Sequence, residues 1–206
     1  MAFPQEHFPD ASGYLRAYGE ELQRALTSVD PDALNRAAHL LESTARSRGL
    51  ILVCGNGGSA ALAEHFVCDL LKGSATSTEL RPRCLSLSSG IPLLTATAND
   101  LGYEEVFSLQ IRTMAEAGGV LVAISSGGNS ENIVRAVETA HGEGMQTIGL
   151  TGFSGGRVAP MASVSVHVSS ENYGVVEDTH QSILHTFAQF IRHRAIPAER
   201  LSSTVF

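Results

Sequence analysis

The sequence predicts an α/β fold in which a parallel five-stranded sheet carries helices on both faces and two helices precede the first strand. Short apolar runs alternate with longer segments of helical periodicity from residue 50 onwards. The runs are almost wholly apolar, as expected of parallel strands buried on both faces. The first and third runs each end in a Gly/Ser-rich loop that leads directly into a helical pattern, which is the order of a strand, a turn and a helix N-terminus.

The two leading helices are predicted from apolar spacing and from the start of the second. Apolar side chains recur at helical spacing over residues 10–28. A second amphipathic segment begins at Asp30-Pro31, where an N-cap residue precedes a first-turn proline, and it continues to Gly49. These helices either cover one face of the sheet or pack against a second copy of the chain.

The remaining elements follow from the same periodicities. Strands are predicted near residues 50–54, 83–87, 120–124, 147–151 and 164–168. Helices are predicted near residues 59–72, 92–98, 104–116, 129–142 and 176–194. No linker or internal repeat interrupts this order, so residues 1–206 are interpreted as a single domain. It consists of a helical pair at 1–49, an α/β core at 50–196 and a loosely held tail at 197–206.

The composition excludes several classes of protein. The 206 residues are 43% hydrophobic and 17% charged, which is typical of a globular protein. A formal net charge of −7, without a cluster of Lys and Arg, argues against nonspecific nucleic-acid binding. An anionic ligand would therefore have to be held by local groups against the overall charge.

The cysteines and the termini indicate a cytoplasmic protein. Three cysteines form no even-numbered disulfide framework, and Cys54 and Cys84 lie at strand ends, so we expect buried free thiols in a reducing compartment. The N-terminus lacks a basic region followed by an apolar run, so no signal peptide is expected. No apolar stretch is long enough to cross a bilayer.

Two loops carry the strongest functional signal. Cys-Gly-Asn-Gly-Gly-Ser spans 54–59, and Ser-Ser-Gly-Gly-Asn-Ser spans 125–130. Glycine allows a ligand to approach the backbone closely, and hydroxyls together with free N–H groups at a helix start attract an anion. Ser59 and Ser130 could instead be ordinary helix N-caps. Two such loops in one chain favour phosphate binding at the carboxyl ends of the strands.

Imidazole and carboxylate groups recur on two of the predicted helices. His65 and Asp69 are four residues apart, so their side chains lie on one helix face, where they form either a surface ion pair or part of a site. The last helix carries a polar stripe flanked by apolar residues. The stripe consists of Glu177, His180, Gln181, His185 and Gln189.

These groups supply what an aldose–ketose isomerase requires. A carboxylate takes a proton from carbon, an acid such as histidine protonates oxygen, and a distant phosphate anchor orients the sugar. A divalent metal could instead polarise the carbonyl, with candidate ligands at His65, Asp69, Glu177 and His185. The chain has no Gly-x-Ser-x-Gly elbow, Cys-x-x-Cys pair or Walker loop, and the loop at 55–58 does not match the dinucleotide fingerprint.

The motifs resemble those of the sugar-isomerase (SIS) domain family, and most closely its sedoheptulose 7-phosphate isomerase branch. The resemblance covers nearly the whole chain. Its motifs are Cys-Gly-Asn-Gly-Gly-Ser at 54–59, His-Phe at 65–66, Asn-Asp at 99–100, Ser-x-x-Gly-Asn-Ser at 125–130, Leu-Thr-Gly at 150–152 and the Glu/His helix at 177–185. It implies a flavodoxin-like SIS fold and a homotetramer with active sites at subunit interfaces. It also implies conversion of sedoheptulose 7-phosphate to D-glycero-D-manno-heptose 7-phosphate by proton transfer between C1 and C2.

The resemblance also implies a set of site residues and a zinc ion, with no nucleotide cofactor. The implied substrate and phosphate ligands are Asn56, Gly57, Gly58, Ser59, Asn99, Asp100, Ser125, Ser126, Ser130 and Glu177. The implied catalytic residues are Asp69, Glu177 and His185. The implied zinc ligands are His65, Asp69, Glu177 and His185.

The chain departs from the family pattern at three positions. Asp69 stands where the family usually has Glu, Glu177 where it usually has Gln, and Gly127 where it has a hydroxyl residue. Either Glu177 takes over part of the work of the base, or the substrate is a different ketose phosphate. Two other functions stay open, namely a non-catalytic SIS protein that binds a partner of the replication-initiator-associating type and a phosphosugar-sensing regulatory domain.

Overall fold

All five strands of the sheet run parallel in the structure, a computed structural model that describes residues 3–205. The strands are β1 (Leu50–Gly55), β2 (Arg83–Ser86), β3 (Val120–Ser125), β4 (Gln146–Thr151) and β5 (Val164–His167). Their order in the sheet is β2-β1-β3-β4-β5. This is the flavodoxin-like order, with a topological switch point between β1 and β3. The predicted fold class is confirmed.

The helices cover both faces of the sheet. They are α1 (Ala11–Thr27), α2 (Pro31–Arg46), α3 (Gly58–Cys68), α4 (Ile91–Asp100), α5 (Ser108–Met114), α6 (Glu131–Gly142), α7 (Val158–Met161) and α8 (Tyr173–Ala195). Side chains of Asp10, Asp30 and Asn172 accept hydrogen bonds from backbone N–H groups and so cap α1, α2 and α8.

Side chains of alternate strand residues enter two separate cores. Ile51 and Val53 of β1 pack in the core that α1, α2, α3 and α8 cover. Leu52 and Cys54 of the same strand point to the opposite core, which α5 and α6 cover. The two leading helices therefore help to cover one face of the sheet, which is the first of the two predicted alternatives. Leu15 of α1 nevertheless stays 69% exposed.

The sequence prediction was wrong about several helix boundaries. The segment 104–116 is divided into a 3-10 turn, Tyr103–Glu105, and the helix α5. The break lets Val106 and Phe107 enter the core. The segment 59–72 changes from α-helix to a π-helical turn at Asp69–Gly73. The other predicted elements match within a few residues.

The end regions and the cysteines also differ from expectation. Helix α7 and a 3-10 turn at Ala198–Ser203, in the tail expected to be loosely held, were not predicted.

Cys54 is buried as predicted, and burial raises the pKa of its thiol to about 12. Cys68 is exposed because it lies on the outer side of α3, away from buried Phe66. Residues 1, 2 and 206, which belong to the predicted terminal segments, lie outside the described residues.

No helix in the described part of the chain is both long enough and apolar enough to cross a membrane.

Glu42 joins α2 to the end of α8 and is expected to contribute measurably to stability. Arg194 Nε donates to Glu42 Oε2 at 2.9 Å and Arg46 Nε donates to Oε1 at 3.0 Å. Burial alone would raise the pKa of Glu42, but the two arginine side chains outweigh it and hold the pKa below its usual value. The Glu42→Gln variant should therefore lose about 1–3 kcal/mol of unfolding free energy at neutral pH.

The difference between the Glu42→Gln variant and the wild type should shrink in acid. A carboxyl group with a lowered pKa stabilises the fold above its ordinary pKa, and this contribution is lost as the pH falls through the lowered value. Urea unfolding at neutral and acidic pH measures both effects. The matched control is Glu138→Gln on α6, an exposed position. Equal losses in the two variants would contradict the prediction.

Candidate active site

A cleft of about 400 Å³ lies at the switch point, where β1 and β3 end. The described residues that line it are mostly polar and include no lysine or arginine. The lining residues are Asn56, Ser59, Ile124, Ser125, Ser126, Gly127, Asn129, Ser130, Tyr173 and Glu177. Helices α3 and α6 begin directly beside it, so their N-terminal N–H groups and helix dipoles favour an anion there.

Three of the four serine hydroxyls at the cleft make no hydrogen bond within the described residues. Ser130 occupies the N-cap position of α6 but makes no side-chain capping bond, and Ser59 lies inside the first turn of α3. Within residues 3–205, no protein group is hydrogen-bonded to the hydroxyls of Ser59, Ser126 or Ser130, whereas Ser125 Oγ accepts from the N–H of Gly128 at 3.1 Å. The alternative that Ser130 serves as a capping residue is therefore not what the structure shows.

A third loop, which follows β4, is hydrogen-bonded to the second Gly/Ser loop. Gly152 N–H donates to Ser126 O at 2.8 Å, and Arg157 N–H donates to Gly128 O at 2.9 Å. Gly128 has a φ of +68°, and a side chain at this position would run into the backbone of Gly155. The close approach of the two loops therefore requires glycine at position 128.

Glu177 is the one acidic side chain among the described residues that line the cleft. Its carboxylate lies against the first residue of α3, since a methyl group on Gly58 would come within 2.6 Å of Glu177 Oε2. A side chain at residue 58 would thus displace this carboxylate. An anion in the cleft would be held by hydroxyls, N–H groups and helix dipoles without any cationic side chain.

A second group of polar side chains joins α3 to α8. His65 Nε2 lies 3.0 Å from His185 Nε2, and Asp69 Oδ2 lies 3.5 Å from each of these nitrogens. Asp69 Oδ2 is buried and has no hydrogen-bond partner among the described residues. A buried carboxylate oxygen without a partner is costly.

The donor set of this group fits a divalent metal ion. The three ligand atoms lie within 4.8 Å of one another, and two imidazoles with one carboxylate are a common zinc set that leaves a position open. An ion between them would satisfy the unpartnered oxygen of Asp69. Glu177, the fourth predicted ligand, does not belong to this group.

Other residues of the polar stripe on α8 lie around the same group. The side-chain nitrogen of Gln181 lies 2.9 Å from His185 Nε2. Gln189 lines a small pocket together with Asp69 and His185. The contact of Gln181 was not anticipated, because the stripe alone does not show which of its members faces α3.

Helices α3 and α8 run side by side in the same direction. Glu177 lies against Gly58 near their beginnings, and His185 lies against His65 further along. These contacts are seven residues apart on α3 and eight on α8, which at about 1.5 Å per residue is a separation of about 10–12 Å. The cleft and the His/Asp group therefore lie at two points of one helix pair.

Asn99 and Asp100 lie at the end of α4 and do not line the cleft. Both are exposed, and Asn99 Nδ2 donates to Asp100 Oδ1 at 2.7 Å. The helix end nevertheless lies near the first loop, because Tyr103, three residues after Asp100, donates to Asn56 Oδ1 at 2.9 Å. Their role in substrate binding stays a prediction.

His180, on the polar stripe, is buried completely and belongs to the interior. Burial lowers the pKa of its imidazole to about 4. The folded state therefore holds it neutral, whereas the unfolded chain takes up a proton below its ordinary pKa. At neutral pH the imidazole is neutral in both states, and the fold should lose stability relative to the unfolded chain as the pH falls from about 6.5 towards the lowered pKa.

The His180→Phe variant should show a weaker loss of stability in mild acid than the wild type, because it removes this proton uptake. Urea unfolding at neutral pH and in mild acid measures how steeply the unfolding free energy of each protein depends on pH, which is the slope compared here. His193→Phe, at an exposed position near the end of the same helix, is the control. An unchanged slope in the His180 variant would contradict the prediction.

Comparison with known proteins defines the class that this fold and site represent. The chain belongs to the SIS domain family, whose match covers residues 14–152. The resemblance noted in the sequence is thereby confirmed.

Individual relatives fall within one branch of this family. The chain is 38% identical over 180 residues to a phosphoheptose isomerase of Helicobacter pylori (strain P12), covering 87% of this chain and 93% of the relative. It is 36% identical over 173 residues to a phosphoheptose isomerase of Coxiella burnetii (strain RSA 331 / Henzerling II), covering 82% and 85% of the two chains. The solved structure of phosphoheptose isomerase GmhA from Neisseria gonorrhoeae matches with a TM-score of 0.80 at 34% identity, covering 88% and 98%.

Proposed function

We propose that this protein is a phosphosugar isomerase that converts sedoheptulose 7-phosphate to D-glycero-D-manno-heptose 7-phosphate. The observation that carries the proposal is the placement of an anion-binding cleft and a carboxylate–imidazole group at two points of one helix pair. The relatives named phosphoheptose isomerase support the same activity. The phosphate would occupy the cleft among Ser59, Ser126 and Ser130, and the reacting carbons would lie near Asp69 and His185.

The reaction needs one base and one acid at the reacting carbons. In the open-chain ketose, Asp69 would remove a proton from C1 while His185 delivers a proton to the C2 oxygen, which forms an enediol. Removal of the O1 proton and return of a proton to C2 then produce the aldose. Asp69 is the better placed base, because Glu177 lies at the cleft end against Gly58.

A zinc ion is part of the proposal. His65, Asp69 and His185 would hold it, and when bound it would polarise the sugar carbonyl in place of the proton that His185 otherwise delivers. A homotetramer with active sites at subunit interfaces and a cytoplasmic location also remain proposals, whereas Glu177, which lies at the other end of the helix pair, is not proposed as a fourth ligand. Light scattering tests the oligomeric state.

A binding protein without catalysis is the second candidate. A protein that only binds a partner needs no carboxylate beside an imidazole, whereas Asp69 Oδ2 and His185 Nε2 lie 3.5 Å apart here. The contact of these two groups favours an enzyme.

Incubation of the purified protein with sedoheptulose 7-phosphate, with and without a metal chelator, tests the proposal. We expect formation of the aldose, and we expect the chelator to slow it. Absence of product from metal-supplemented protein would reject the isomerase. Turnover that is insensitive to thorough chelation would instead reject the role of zinc and leave the proton transfers to the side chains alone.

A further inference from the structure

The side chains of Asn56 and Asn132 form a reciprocal amide pair across the switch point. Asn56 Nδ2 donates to Asn132 Oδ1 at 2.9 Å, and Asn132 Nδ2 donates to Asn56 Oδ1 at 2.9 Å. Asn56 follows β1 in the first Gly/Ser loop, and Asn132 lies in the first turn of α6, just after the second loop. The pair therefore joins the two loops that form the cleft.

The pair uses most of the hydrogen-bonding capacity of Asn56. Tyr103 also donates to Asn56 Oδ1 at 2.9 Å, so both lone pairs of this oxygen are occupied. One hydrogen of Nδ2 is already donated to Asn132. The side chain of Asn56 can thus offer a ligand at most one N–H, although the family resemblance implies that it binds the substrate.

Asn132 itself makes no contact with the cleft. It is 2% exposed and absent from the cleft lining. An amide buried at the start of a helix is costly unless it is paired, and the pair satisfies it with the one partner that lies in the other loop. A leucine at this position would remove the pair and leave Asn56 with the hydrogen bond from Tyr103 alone.

We infer that Asn132 is a positioning residue for phosphate binding, and that Asn56 acts mainly by fixing the position of the first Gly/Ser loop relative to the second. Ser59 lies three residues after Asn56, and Ser130 lies two residues before Asn132. Their hydroxyls must converge on one phosphate, and small displacements of such contacts weaken binding strongly. The inference rests on the proposed function in one respect, which is that the cleft takes the phosphate end of the substrate.

The Asn132→Leu variant tests the inference. We expect the KM for sedoheptulose 7-phosphate to rise about tenfold or more while kcat changes less than about threefold, because binding of the remote phosphate is lost and the reacting groups are untouched. The dissociation constant of inorganic phosphate, measured by calorimetry, should rise in parallel. The Asn56→Leu/Asn132→Leu double variant should be no worse than Asn132→Leu, since the two amides act as one unit.

Tyr103→Phe is the matched control. It removes the third hydrogen bond and keeps the amide pair, so its KM should stay within about twofold of the wild type. If Asn132→Leu does not fold, Asn132→Ser keeps a polar group in the buried position and is expected to show the same rise in KM.

The possible results separate this inference from the proposed function. A lowered melting temperature with unchanged KM and unchanged phosphate affinity in the Asn132 variant would overturn the positioning role and leave the isomerase intact. The inference would also be overturned if the effects of the two substitutions on the logarithm of KM were strictly additive in the double variant. If the wild type neither turns over the sugar nor binds phosphate, the proposed function fails, and the inference fails with it.

Discussion

The Asp69→Asn variant is expected to lose about 10²–10⁴-fold of the turnover of sedoheptulose 7-phosphate, because it removes the base at the reacting carbons. It should also bind zinc more weakly, since the carboxylate is the one anionic ligand of the His/Asp group. Steady-state kinetics and competition with a chromophoric chelator measure the two losses separately.

The metal-free Asp69→Asn protein should be no less stable than the metal-free wild type. Its amide removes a buried carboxylate oxygen that has no hydrogen-bond partner in the described structure. Added zinc should raise the melting temperature of the wild type more than that of the variant, because only binding to the folded state stabilises it. This comparison shows whether a loss of turnover arises at the site or from misfolding.

Glu177→Gln is the matched control for Asp69→Asn, because it neutralises the other carboxylate that the family resemblance implies as catalytic. We expect it to retain much more turnover, since Glu177 lies against Gly58 at the cleft end. Loss of turnover in Glu177→Gln alone would identify Glu177 as the base, which means that it has taken over the role that the family gives to the residue at position 69. Survival of turnover in both variants would exclude both carboxylates as the base.

The Gly128→Ala variant is expected to be the most damaging change outside the catalytic group. Residue 128 has a φ of +68°, which costs a side chain about 1–2 kcal/mol, and its new methyl group would meet the backbone of Gly155. The two loops would have to move apart, so we expect a loss of more than about 2 kcal/mol of unfolding free energy together with weakened phosphate binding.

The neighbouring Gly127→Ala variant provides the control for Gly128→Ala. Gly127 has no positive φ, and a methyl group there would meet no atom within 4 Å. Urea unfolding and phosphate calorimetry on both variants measure the difference. Equal stability of the two variants would show that the loop after β4 yields readily to a side chain at residue 128.

The strands and the two Gly/Ser loops could be predicted because their signals are local. An apolar run such as 120–124 is buried on both faces whatever its neighbours are, and the loop that follows it needs glycine for its own backbone. The switch point then brings the loops after β1 and β3 together, because those strands are adjacent in the sheet.

The arrangement of the polar side chains could be predicted only in part. The i, i+4 spacing of His65 and Asp69 indicated a shared face, but the contact with His185 depends on how α8 packs against α3. For the same reason the sequence did not distinguish Glu177, which faces the cleft, from Gln181, which faces the His/Asp group.

Asn132 was missed because nothing in its local pattern marks it. It precedes buried Ile133 and Val134 and looks like an ordinary polar residue at a helix start. Its partner is 76 positions away in the chain, so only the folded sheet brings the two amides together. The π-helical turn at Asp69 was missed for a related reason, since its sequence reads as a continuation of α3.

The parallel course of α3 and α8 has a consequence for the choice of sugar. With the phosphate proposed to bind among Ser59, Ser126 and Ser130 at the start of α3, and the imidazoles about 10–12 Å further along the helix pair, catalysis would depend on the length of the carbon chain. A ketose phosphate two carbons shorter, anchored at the same end, would hold its carbonyl short of the imidazoles. Selection among phosphorylated sugars would then depend on whether the carbonyl comes as far as the imidazoles. A shorter sugar phosphate would react more slowly, and its kcat would fall more than its binding affinity.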